Sequence, residues 1–133
     1  MVTTLYDSFL FFIGGNGDVE NIEKDNQTIS FEYRNRKYIY IYDENDSLYF
    51  RIVQFPIYSH SKDLDVEKIG ELLDCVGDYK LVKLFKLGDK LFLSIELLLD
   101  ANQLTSNQIY GRVLNTLAEV SKHVEEILES HGK

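Results

Sequence analysis

The stretch ISFEYRNRKYIYIYDENDSLYFRI, residues 29–52, reads as three short strands separated by two polar turns. Period-two alternation sets Tyr38, Tyr40 and Tyr42 on one side of the middle strand and Ile39 and Ile41 on the other. Both sides are apolar enough to be buried, so the lengths of the turns decide which side faces the core.

Residues directly opposite in an antiparallel pair project from the same face, so each turn length implies a set of partners. A three-residue first turn, Arg34, Asn35 and Arg36, sets Phe31 against Ile39 and Ile29 against Ile41. A four-residue second turn, 43–46, then sets Ile41 against Leu48, Ile39 against Phe50, Tyr40 against Tyr49 and Tyr38 against Arg51. Under that register the aliphatic face meets the helices. Tyr38, Tyr40, Tyr42, Tyr49 and Arg51 form an exposed aromatic row, rimmed by Ser30 and Glu32, that is suited to binding a partner. A two-residue first turn reverses the assignment and buries the tyrosines with Ile29 and Phe31.

Outward from this stretch, Leu5, Phe9, Phe12 and Ile13 recur at helical spacing until Gly14 and Gly15 end the pattern. Residues 14–25 read as a polar connector, and the three strands as 28–33, 37–42 and 47–55. Pro56, the only proline, closes the third. A second helix begins near Asp65, groups Val66, Ile69, Leu72, Leu73 and Val76 on one side, and ends near Gly77. Strands at 80–87 and 90–99 follow, joined by a tight turn at Gly88 and Asp89. The last helix starts at Thr105, with Gln108 in capping-box spacing. It carries Ile109, Val113, Leu117, Val120, Val124 and Ile127 on one face and Glu119, Lys122, Glu126 and Glu129 on the other. The predicted class is α+β, one domain over 1–133, in the order α-β-β-β-α-β-β-α with a five-stranded, mainly antiparallel sheet.

With 133 residues, one core of ordinary size is within reach and no disulfide scaffold is needed; the single cysteine, Cys75, has no partner in the chain. That thiol lies beside the apolar side of the second helix and reads as packing. A cytoplasmic setting follows, since LYDSFLFFIGG lacks a preceding basic residue and is interrupted by Asp7. No window is apolar for the roughly 20 residues that cross a bilayer. Twenty-two acidic against 14 basic residues give a net charge of −8, which disfavours nucleic acid and anionic membrane and favours a basic or amphipathic peptide.

Catalytic, metal and cofactor sites are not expected. His60, His123 and His131 are scattered, the oxygen-rich Asp43-Glu44-Asn45-Asp46 lacks the glycine and terminal glutamate of a calcium loop, and Gly15-Asn16-Gly17 follows a helix with no lysine after it.

The sheet stretch above, the helix DVEKIGELLDCVGDYK, and LFLSIELLLDANQLTSNQIYGRVLNTLAEVSKHVEEIL together resemble the YbjN-like family, related in fold to the type III secretion chaperones. The resemblance is one of pattern and element order over nearly the whole chain. It implies a small, often dimeric, non-enzymatic protein that binds a polypeptide client. The expected function is a chaperone-like or adaptor module, with a homodimer as its expected form. The alternative is a small-ligand or regulatory domain with a pocket between the sheet and the last helix.

Overall fold

The first turn is two residues long. In the computed structural model, which describes residues 4–46, 48–55, 64–79, 81–99 and 107–131, Tyr33 pairs directly with Arg36. Arg34 and Asn35 both take positive φ, 51° and 67°, the geometry of a turn whose twist matches the flanking strands. The reversed register therefore holds: Phe31 pairs with Tyr38 and Ile29 with Tyr40.

Strands β1 (Val19–Lys24), β2 (Thr28–Tyr33), β3 (Arg36–Ile41), β4 (Tyr49–Gln54), β5 (Val82–Leu87) and β6 (Lys90–Leu98) form one antiparallel sheet ordered β1-β2-β3-β4-β6-β5. Helices α1 (Leu5–Gly14), α2 (Val66–Gly77) and α3 (Asn107–His131) complete an α+β fold. The expected five strands become six, because the supposed connector contains β1. Two residues of β1, Asn21 and Ile22, lie opposite Phe31 alone, in a bulge where Asn21 takes φ 54°. That extra residue breaks the period-two pattern by which a strand is recognised. It also lets the Asn21 amide donate to Glu32 at 2.8 Å, beside the like-charged pair Glu20 and Glu32.

The second connection differs from expectation as well. Tyr40 pairs with Ile52 and Tyr38 with Gln54, in place of Tyr49 and Arg51. Within this longer loop Asp43 accepts from the Asn45 N–H at 2.9 Å and Asp46 from the Leu48 N–H at 3.3 Å, so these oxygens hold the turn. Gly88, at φ 60°, makes the other hairpin as tight as expected, with Leu87 opposite Lys90.

One face of the sheet carries Phe31, Tyr33, Tyr38, Tyr40, Phe50, Ile52, Leu93 and Ile95, all buried with residues of the three helices in one apolar cluster. Phe9 of α1 is its aromatic centre, with ring centroids 5.0 Å from Tyr40, 5.3 Å from Phe50, 5.4 Å from Tyr110 and 5.7 Å from Phe31. Polar groups along α3 fix its position: Ser121 donates to Gln54 at 2.5 Å and Tyr110 to Ser8 at 2.9 Å, both buried, and nearer the surface Tyr33 donates to Asn115 at 2.6 Å. Arg36 adds a two-pronged contact to Glu125, at 3.0 and 2.7 Å.

Asp65 caps α2 as its sequence predicts, accepting from the Lys68 N–H at 2.7 Å. The expected start of the last helix at Thr105 lies outside the described residues, as do Pro56 and His60; of His131 only the backbone is described. Among the described residues no helix is long and apolar enough to cross a membrane.

Candidate interaction surface

The structure divides the predicted tyrosine row between two faces. Tyr38 and Tyr40 are 0% exposed and point toward the helices, which corrects the expectation of an exposed patch at these positions. Their parity follows from the two-residue turn, which brings them level with Ile29 and Phe31. Neither hydroxyl has a partner in hydrogen-bond geometry among the described residues. Burial pushes both above the ordinary tyrosine range, with Ser121 offsetting part of the effect at Tyr38. Tyr42, just beyond β3, is half-buried and meets the Tyr6 ring edge-on at 6.3 Å.

Tyr49 and Arg51 lie on the opposite face, where their partner is Glu96 of β6. Arg51 Nε stands 3.3 Å from one carboxylate oxygen, Lys83 Nζ stands 3.0 Å from the other, and the Tyr49 hydroxyl bonds to the same group. Burial raises the Glu96 pKa, but Tyr49, Lys83 and Arg51 together outweigh it and hold the carboxyl below the usual glutamate range. Tyr49 is pushed up to about 12, by desolvation first and then by Glu96. Two cations and a phenol thus converge on one carboxylate. Arg51 is consequently engaged within the sheet and is a poor reader of a partner's charge.

The surface that sequence reasoning missed is on α2. Leu72 and Val76 enter the core at 1% and 5% exposure, whereas Val66, Ile69 and Leu73 remain 87%, 40% and 54% exposed. Spacings of three and four residues align these three along two turns of helix, immediately beside the buried pair. Gly70 and Gly77 continue the same arc, and a Cβ at either would meet nothing within 4 Å. Glu67, Glu71 and Asp74, all exposed, form the far border. The sequence held one signal of this: the combined arc of five aliphatic residues and two glycines is wider than the stripe one helix needs to sit on a sheet.

On the other flank of α2, a shallow groove of about 500 Å3 runs between it and α3, lined by Cys75, Asp78, Tyr79, His123, Glu126 and Ile127. Tyr79 and His123 Nδ1 are 2.6 Å apart, a pairing that neither residue's neighbours in sequence announce. Desolvation, with Asp78 and Glu126 nearby, pushes the half-buried Cys75 thiol up, so it is a poor nucleophile at neutral pH. Among the described residues no group of three or more His, Cys, Asp or Glu side chains is placed to hold a metal ion. No protein-family model matches the chain, and no curated protein matches it.

Proposed function

We propose that this chain is a non-enzymatic polypeptide-binding module, of chaperone-like or adaptor type, which engages its partner through the outer surface of α2. The observation that carries this reading is the row Val66, Ile69 and Leu73, three large apolar side chains left to solvent at helical spacing on a helix already anchored by Leu72 and Val76. The resemblance to YbjN-like proteins and secretion chaperones supports the same class of function. A cytoplasmic location accords with a single free thiol.

A homodimer belongs to the same proposal, with the outer edge of β5, the last strand of the sheet among the described residues, as its contact. Antiparallel pairing of two β5 edges about Phe85 sets Lys83 opposite Leu87 and avoids like charges. It also extends the Phe85–Phe92 stack, whose centroids are 5.3 Å apart, across the joint. The alternative of a small-ligand site between sheet and α3 is poorly supported, because Tyr33, Phe50, Tyr110, Val113 and Leu117 are all buried there.

Selection of a displayed random-peptide library against the chain tests the main proposal. Binders should lose about tenfold or more in affinity to a Leu73→Ser variant that unfolds normally. Binders indifferent to that substitution would remove α2 from the account.

A further inference from the structure

We infer that the α2 surface receives a basic amphipathic helix, a reading that rests on the polypeptide-binding function proposed above and specifies its partner. The case begins with the backbone. Helix α2 satisfies its own N–H and C=O groups internally, so it offers no ladder to an extended peptide. A strand laid on Val66, Ile69 and Leu73 would hold unpaired backbone groups against apolar surface, at a cost of a hydrogen bond for each. A helix brings its backbone already satisfied and presents side chains at matching three- and four-residue spacing. Gly70 adds a low point in the stripe, open above it to beyond 4 Å, where a partner's larger side chain can seat.

Charge then selects among helices. Glu67, Glu71 and Asp74 are spaced four and three apart along the outer border of the stripe. Lys68 stands 3.3 Å from Glu71, while no cation among the described residues pairs with Glu67 or Asp74. A helix with lysine or arginine flanking its apolar face would complete these carboxylates, and the net charge of −8 would steer it in. A second copy of this chain suits the site less well, since it brings the same acidic row and the same net charge to the contact.

Fluorescence anisotropy with three synthetic peptides of about 18 residues, five helical turns, decides the matter. One is a leucine/lysine amphipathic sequence, one its leucine/glutamate counterpart, and one a scrambled leucine/lysine sequence without a continuous apolar face. The first should bind the full chain and gain helical circular dichroism on binding. Its affinity should fall about tenfold or more with Leu73→Ser, and again with the double variant Glu67→Lys, Asp74→Lys, which should in turn bind the leucine/glutamate peptide. Equal binding of the acidic or the scrambled peptide to the unaltered chain overturns the inference, as does binding of the first peptide that neither variant changes. Self-association lost on Leu73→Ser also overturns it, by making a second copy the occupant. Library-selected binders that depend on Leu73 but are acidic or extended would sink this inference alone. A library with no Leu73-dependent binder sinks the proposed function as well.

Discussion

Helices α2 and α3 pack against one another on the same side of the sheet, and each has a strongly apolar side, yet they use those sides differently. Helix α3 lies along the sheet and buries Tyr110, Val113, Leu114, Leu117, Val120 and Val124, leaving Glu119, Lys122, Glu126 and Glu129 to water. Helix α2 rests on α3 and on the edge strand β5, and commits only Leu72 and Val76. An edge position gives a helix less surface to cover. Amphipathicity states how much apolar area a helix carries, and its place in the fold determines how much of that area is needed for folding.

The contrast can be broken most forcefully at Leu117. Leu117→Ala opens a cavity at a fully buried position of α3 and should cost about 3 kcal/mol in denaturant unfolding, whereas Leu73→Ala on α2 should cost less than about 1 kcal/mol. Equal losses would mean that α2 is core in the same sense as α3. At Ser121, truncation to alanine leaves the buried Gln54 carbonyl oxygen without its donor, and a loss of about 1–2 kcal/mol is expected. A Gln54→Leu, Ser121→Ala pair should recover part of it.

Alkaline titration sharpens the same comparison. Burial raises the pKa of Tyr38 and Tyr40 on the sheet and of Tyr110 on α3, all three at the contact between the sheet and the helices. The unfolded chain, with tyrosines near 10, loses protons first. Stability from these groups is therefore fully present below about pH 10 and declines as pH rises through the folded values. Tyrosinate absorbance from these three rings should rise only together with loss of the α3 layer; their ionisation ahead of unfolding would contradict their burial. The smallest effect belongs to Cys75, whose raised pKa should make its labelling by a thiol reagent at pH 7 slower than that of a free cysteine in the same buffer.

Much of the fold is legible in local chemistry. The Asp65 cap, the glycine turn before Lys90 and the alternation of apolar and charged residues along α3 all depend on contacts within a few positions. The register of β3 is less accessible, because Tyr38, Tyr40, Ile39 and Ile41 are all acceptable in a core and the pattern has no preferred side. What decides it is a turn with arginine at positive φ, a conformation that arginine does not favour and that its sequence does not advertise. Strand β1 is hidden by its bulge, and the α2 stripe by the fact that exposure depends on where neighbouring elements end. Aromatic density on β3 marks the tyrosine row as an interaction surface in the sequence. Those aromatics are largely invested in the core.

The buried hydroxyls of Tyr38 and Tyr40, which among the described residues find no partner in good hydrogen-bond geometry, have a kinetic consequence. With β3 shifted by one residue, both would reach water, and Ile39 and Ile41 would enter the core in their place. The strand thus has a competing alignment that is rewarded where the native one is penalised, a local frustration held in check by the turn at Arg34 and Asn35. Phenylalanine at 38 and 40 removes the reward for slipping while keeping the ring packing around Phe9. A doubly substituted chain should therefore refold with less of any slow, misregistered population, and lengthening the turn by one residue should increase that population.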